Sequence, residues 1–174
     1  MEFERIKREL VYKGAIIDMY KDHVKMPTGH VAEWDFIGHK GAAAVVAVTD
    51  DGKLLMVRQY RNAIDRYTLE IPAGARDSLD EETIVCAARE LEEETGYTAG
   101  SIEWLITVRT TVAFCNEKID IYLARNLVPG SQNLDEDEFV EIFEVPLSEA
   151  VAMIHDGRIV DGKTIAALSY VSLQ

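Results

Sequence analysis

A chain of 174 residues and 19.5 kDa holds one buried core and is too short for two full-sized domains. With 48% hydrophobic residues, 28% charged residues and only four prolines, it is a folded globule, which excludes a disordered or collagen-like chain. Lys+Arg 18 against Asp+Glu 31 leave a net charge of −13, which repels a phosphate backbone and argues against nucleic acid as a partner.

No apolar run approaches the roughly 20 residues of a membrane helix, and the charged start MEFERIKREL has no apolar stretch behind it, so a cytoplasmic protein is expected. Cys86 and Cys115 lack Cys-x-x-Cys spacing, which suits a reducing compartment and argues against structural zinc.

From Arg5 to Thr49 apolar and polar residues roughly alternate, through LVYKGAIIDMYKDHVKM, a turn at Pro27-Thr28-Gly29, and HVAEWDFIGH, which predicts a small antiparallel sheet. GAAAVVAVTDDGKLLMVRQY reads as a central hairpin closed at Asp51-Gly52. Thr68–Pro72 is a further short strand. From Asp80 to Thr95 the period becomes helical, with Ile84, Ala87, Ala88 and Leu91 as the apolar face and Gly96 as a left-handed stop. Strands follow at Ile102–Thr110, Lys118–Ala124 and Glu138–Pro146, then amphipathic helices at Leu147–Asp156 and about Asp161–Val171. Such an order fits an α+β domain with helices packed on a mixed sheet.

Acidic residues concentrate between Arg76 and Glu94 and again at Asp135-Glu136-Asp137-Glu138. At about 100° per residue, Glu90, Glu93 and Glu94 share one arc beside the apolar face. Like charges at i, i+3 and i+4 destabilise a helix by a few tenths of a kcal/mol per pair, so an uncompensated patch needs a reason. A solvated face is one reading. The other is a site for a hard divalent cation such as Mg²⁺, which takes several oxygen ligands and can also touch substrate phosphates, and that suits a diphosphate substrate.

Gly74 to Glu81 followed by Arg89-Glu90-Leu91-Glu92-Glu93-Glu94-Thr95-Gly96-Tyr97 resembles the Nudix box, the loop-helix-loop signature of Nudix hydrolases. One more residue separates Gly74 from Glu81 than the usual signature places there. Either the loop carries an extra residue or Asp80 substitutes. The second half, REUXEEXGU with U a bulky apolar residue, is complete. VRQYR (Val57–Arg61), LEIPAG (Leu69–Gly74) and GRIVDGKTIAAL (Gly157–Leu168) extend the resemblance over nearly the whole chain to the ADP-ribose pyrophosphatase branch.

The resemblance implies a Nudix fold, a mixed β-sheet sandwiched between helices, with an N-terminal antiparallel extension. Residues 1–40 would serve dimerisation and substrate binding, and 41–174 would be the hydrolase domain. It implies a homodimer, and metal-dependent hydrolysis of ADP-ribose to AMP and ribose 5-phosphate with Mg²⁺, or Mn²⁺, as cofactor. The implied metal ligands are the Ala73 carbonyl, Glu90, Glu94 and Glu138, with Glu93 nearby. Glu136 matches the position of the proton acceptor toward the attacking water, and Glu93 joins it as a catalytic candidate. Substrate positions are Trp34 as an adenine platform with Asp35 alongside, Arg61 for phosphate or ribose, Ala75, and Glu117.

Alternatives stay open on the residues themselves. Trp34 serves equally well in a core or dimer interface. The acidic loop reads also as a solvated tip. Arg58, on the opposite strand parity from Arg61, reads as a surface residue. Val112-Ala113 stands where the branch usually has proline-glycine, which keeps other nucleoside diphosphate sugars, such as GDP-mannose or ADP-glucose, in play. A nucleotide-binding sensor without catalysis is the rival from another class. His23, His30, His39 and His155 lack metal-ligand spacing and read as structural or surface residues, and nothing makes Cys115 a nucleophile.

Overall fold

The computed structural model describes residues 2–136 and 138–173, so Asp137 of the acidic cluster lies outside the described residues. The N-terminal segment forms a three-stranded antiparallel sheet of β1 (Glu4–Lys13), β2 (Asp18–Lys25) and β3 (Val31–Gly38). Its second turn is the one expected at Pro27–Gly29, where Gly29 takes φ 87°. The first turn, hidden inside an apparently continuous alternation, is made at Gly14, whose N–H donates to the Ile17 carbonyl at 2.9 Å.

The second sheet is seven-stranded and mixed. Its path runs β10 (Glu141–Pro146), β5 (Lys53–Arg61), β4 (Ala42–Val48), β9 (Lys118–Pro129) and β8 (Tyr97–Arg109). Two short strands, β6 (Arg66–Glu70) and β7 (Ala73–Ala75), pair with β5 and β4 respectively. Only β4 and β9 are parallel among the pairs of this sheet in the described residues. Compared with the sequence expectation, β8 and β9 are longer, and β10 starts at Glu141, which leaves Glu138 in a loop.

The continuous apolar run AAAVVAV of β4 is what a strand covered on both faces requires. Its period of two divides the core. Ala42, Ala44 and Val46 pack with Met56, Ile71, Ala150, Ile159 and Leu168, under α2 (Leu147–His155) and α3 (Gly162–Ser172). Ala43, Val45 and Ala47 pack with Leu55, Cys86, Ala87 and Leu91, under α1 (Thr83–Thr95). The expected arrangement of a mixed sheet between helices is therefore the observed one. No helix among the described residues is long and apolar enough to cross a membrane.

α1 ends as its sequence foretells. Gly96 takes φ 73° and its N–H donates to the Glu92 carbonyl at 2.7 Å. A Cβ there would stand 2.8 Å from the Gln132 backbone nitrogen, so the glycine also lets the later loop pass close to the helix end. Gly96→Ala is therefore expected to lower stability by at least about 1 kcal/mol, the usual cost of a left-handed non-glycine residue. Chemical denaturation checks this, and an unchanged midpoint would contradict it.

Candidate active site

The inward face of α1 carries Cys86, Ala87, Glu90, Leu91, Glu94 and Thr95. The sequence places the glutamates beside the apolar stripe, but the structure turns the helix so that Glu90 and Glu94 lie within it, at 8% and 3% exposure, and leaves Ile84 outside at 40%. Room for Glu90 comes from the β7 turn. Gly74 has no side chain, and a Cβ there would sit 2.1 Å from the Glu90 carboxyl carbon. The neighbouring Ala73 N–H donates to Glu94 Oε2 at 2.9 Å, and Gln59 Nε2 approaches Oε1 at 3.5 Å.

The patch is not uncompensated, because Arg89 anchors it. Its Nη1 donates to Glu90 Oε1 at 2.7 Å and to Glu93 Oε2 at 2.9 Å, its Nε to Glu81 Oε1 at 3.2 Å, and its Nη2 to the Ala75 carbonyl at 3.1 Å. Glu81 also accepts the Asp77 N–H at 2.7 Å, while its carbonyl accepts from Arg76 Nε at 2.7 Å. Glu81 therefore closes the loop and Asp80, which is exposed, does not substitute for it. The Asp77–Asp80 segment is exposed.

Burial pushes the Glu90 carboxyl up to about 7 despite Arg89, and pushes Glu94 up to about 8, with the Ala73 N–H opposing and the charges of Glu90 and Glu138 adding to the rise. Glu138 is thus within electrostatic reach of both. Its loop is held to the helix end, since Gln132 Nε2 donates to the Glu94 carbonyl at 2.6 Å and the Asn133 N–H to the Glu93 carbonyl at 3.0 Å. Glu136 stands exposed at a turn of that loop.

Among the described residues no three acidic, histidine or cysteine side chains are gathered as a ready metal cage. The donor chemistry nevertheless fits a hard divalent cation: two buried carboxylates one helical turn apart, a backbone turn against them, and more carboxylates at the rim. Burial is the main cause of their raised proton affinity, which a bound cation would offset.

Beside this acidic wall lies a cleft of about 600 Å³ lined by Arg61, Arg109, Glu117, Asp161 and Lys163. The guanidinium of Arg61 is already gripped by Glu70, through Nε to Oε1 at 2.7 Å and Nη2 to Oε2 at 2.6 Å, yet its side chain stays 41% exposed. Glu70 is buried and also meets Lys163 Nζ and the Thr68 hydroxyl. Burial alone would raise its pKa, but Arg61 and Lys163 outweigh it and hold the carboxyl at about 2. Sequence reasoning gave Glu70, Asp161 and Lys163 no role. The only signal was their place in LEIPAG and GRIVDGKTIAAL. Arg58 instead lies over the Tyr67 ring at 4.3 Å and pairs with Glu141.

Trp34 and Asp35 are not brought into that cleft. They line a groove of about 650 Å³ with Met19, Ile37, Ala113 and Phe114, where Trp34 is 48% exposed and its ring centroid is 6.2 Å from that of Phe3. Trp34 is therefore not a core residue within this chain. The loop from Thr110 to Glu117 forms a wall of both spaces, with Phe114 on the groove and Glu117 on the cleft. His39, whose spacing reads as structural or surface, lies with Nε2 3.6 Å from Glu117 Oε1.

A family model described as the NUDIX domain matches residues 38–168. The chain is 41% identical to a methanol dehydrogenase activator of Bacillus methanolicus, over 99% of this chain and 94% of that protein. It is 39% identical to an ADP-ribose pyrophosphatase of Bacillus subtilis, over 100% and 95%. An ADP-ribose pyrophosphatase of Mycobacterium tuberculosis is 35% identical over 96% and 82%. A solved ADP compounds hydrolase superposes with TM-score 0.87 at 22% identity, covering 99% of this chain and 94% of that one, which shows the shared fold.

The α1 carboxylates also set the pH dependence of stability without metal. Their folded pKa values, about 7 and about 8, lie above the ordinary 4.5, so the stability from holding those protons is fully present below about pH 4.5 and lost as pH rises through 7 and 8. Glu70, depressed to about 2, acts in a separate window, its contribution being lost as pH falls from about 4.5 through 2. Metal-free protein is expected to lose stability between pH 5 and 8 and Glu94→Gln to flatten that decline, as read by melting temperature; parallel profiles would contradict the assignment.

Proposed function

The chain belongs to the Nudix family as a pyrophosphatase, and we propose that it hydrolyses the diphosphate of ADP-ribose with a divalent metal, giving AMP and ribose 5-phosphate. The observation that carries this reading is the pair of buried, under-neutralised carboxylates, Glu90 and Glu94, held against the Ala73–Gly74 turn beside a cleft that bears Arg61 and Arg109. Two relatives of nearly full-length match are ADP-ribose pyrophosphatases, which supports this substrate.

Mg²⁺ or Mn²⁺ bound between the Ala73 carbonyl, Glu90, Glu94 and Glu138 would neutralise the diphosphate and polarise its P–O bonds. The protein's own residues do the rest. Arg89 holds Glu90 and Glu93 in place, and Glu70 steadies Arg61 at the phosphate. Glu136, exposed on its loop, accepts a proton from the attacking water, which adds its oxygen to one phosphorus while the bridging oxygen leaves with the other. Trp34 stacks on the adenine with Asp35 alongside, Ala75 borders the substrate, and Glu117 meets it in the cleft.

We also propose a cytoplasmic homodimer, in which residues 1–40 serve dimerisation and substrate binding and 41–174 form the hydrolase domain. Support comes from the apolar side chains that β1 leaves exposed, among them Ile6, Leu10 and Val11. A second reading, another nucleoside diphosphate sugar as substrate, is favoured by 34% identity to GDP-mannose pyrophosphatases of Yersinia enterocolitica and Pectobacterium atrosepticum over about three quarters of the chain.

Assayed against ADP-ribose, ADP-glucose and GDP-mannose with product identification, the protein is expected to prefer ADP-ribose, to need millimolar Mg²⁺ or Mn²⁺, and to lose kcat by orders of magnitude in Glu94→Gln while still folding. Full turnover in excess chelator would contradict the metal, and a better GDP-mannose rate would favour the second reading. Trp34→Ala is expected to raise KM by the equivalent of about 1–3 kcal/mol with little change in kcat, since the base is remote from the broken bond. Unchanged KM values with dissociation to monomers would make Trp34 an interface residue instead.

A further inference from the structure

The loop from Thr110 to Glu117 is fastened to the end of β3. Ile37 N–H donates to the Phe114 carbonyl at 2.7 Å and Asn116 N–H to the Ile37 carbonyl at 3.3 Å. The Asn116 amide then clasps the backbone of His39 from both sides, accepting its N–H at 2.8 Å and donating to its carbonyl at 3.3 Å. The same residue's carbonyl accepts from Arg109 Nη1 at 2.8 Å. These bonds fix where the His39 side chain begins.

Its ring orientation is fixed as well. The Gly41 N–H donates to His39 Nδ1 at 3.0 Å, and Gly41 presents that N–H from φ 94°, a conformation that suits glycine. A ring nitrogen that accepts a hydrogen bond carries no proton, so the neutral imidazole holds its hydrogen on Nε2. That nitrogen faces Glu117 Oε1 at 3.6 Å, an electrostatic contact just beyond hydrogen-bond length, with the two side chains only 16% and 25% exposed. The other oxygen, Oε2, accepts from the Thr110 hydroxyl at 2.5 Å. Glu117 is thus a carboxylate hydrogen-bonded at one oxygen and faced by His39 at the other, in a cleft that also bears Arg61, Arg109, Asp161 and Lys163.

A carboxylate accepts hydrogen bonds and repels phosphate, so beside these cations its complement is the hydroxyls of a sugar. We propose that His39 is a positioning residue that acts through Glu117, aiming its carboxylate at the hydroxyl groups of the sugar beside the diphosphate. This rests on the reading of the chain as a nucleoside diphosphate sugar hydrolase. His39 touches no reacting atom, so its effect falls on binding of the sugar half rather than on bond breaking.

The test combines kinetics with a measurement that needs no turnover. His39→Ala is expected to raise KM for ADP-ribose about five- to tenfold, the scale of one lost polar contact to a carboxylate, with kcat changed less than about threefold. His39→Gln, whose amide nitrogen can stand where Nε2 stands, is expected to recover most of the loss. Glu117→Gln is expected to raise KM likewise, and adding His39→Ala to it to change nothing more. Equal losses from His39→Ala with and without Glu117, or a fall in kcat and melting temperature that glutamine does not rescue, would overturn the proposal. Separately, long-range ¹H–¹⁵N spectra are expected to show His39 as the Nε2–H tautomer with a resonance that moves in Glu117→Gln. A ring protonated at Nδ1, or one indifferent to Glu117, would overturn the proposal even in an active enzyme. If instead the spectra agree but no sugar diphosphate is cleaved, the functional reading fails and the proposal that depends on it falls too, whereas the bracing of Glu117 is then established as structure alone.

Discussion

Everything at the candidate site depends on two glutamates being buried against the β7 turn, where Gly74 leaves space for one of them. α1 lies so close to the β7 turn that the Glu90 carboxylate occupies the position of a Gly74 side chain, and Glu94 takes its hydrogen bond from the next backbone N–H at Ala73. Such burial is unfavourable for charge unless a counter-charge arrives. Arg89 answers part of it for Glu90, and Glu94 is left to one backbone donor and a distant amide. The metal proposed above would supply the counter-charge that this burial lacks.

The contrast with Glu70 makes the point. Both it and Glu94 are almost fully buried acids, and both approach Arg61, but Glu70 has two cations and a hydroxyl and stays ionised at about 2, whereas Glu94 rises to about 8. Glu70 ties strand β6 to the start of α3 through Lys163, and Thr164 of that helix accepts the Ile71 N–H at 3.0 Å. One stretch of chain, from Glu70 to Glu94, thus delivers a satisfied acid that fixes the cleft and unsatisfied acids that face it.

What the sequence made legible follows physical periodicity. The β4–β5 hairpin, α1 with its Gly96 stop, and the two closing helices lie within a few residues of their expected places, because apolar spacing and turn residues determine them locally. The Gly14 turn is not legible because its neighbours continue the alternation on either side. The rotation of α1 is not legible in the sequence because Glu90 and Glu94 count as polar, and the Gly74 gap that lets Glu90 turn inward is a tertiary fact. The same limit hid the roles of Glu70 and His39, whose partners are Lys163, 93 residues away, and Glu117. Glu81 differs again: the spacing leaves it and Asp80 as alternatives, and in the structure it is Glu81 that accepts from the Asp77 N–H and from Arg89.

The most direct test of the central claim is the proton balance of metal binding. Calorimetric titration of Mg²⁺ or Mn²⁺ into the protein at pH 7, repeated in buffers of different ionisation enthalpy, reports how many protons leave as the metal enters. With Glu90 and Glu94 raised to about 7 and about 8, binding is predicted to release on the order of one proton per chain, and markedly fewer at pH 9. Binding with no proton release at pH 7 would contradict the account of under-neutralised carboxylates awaiting a cation.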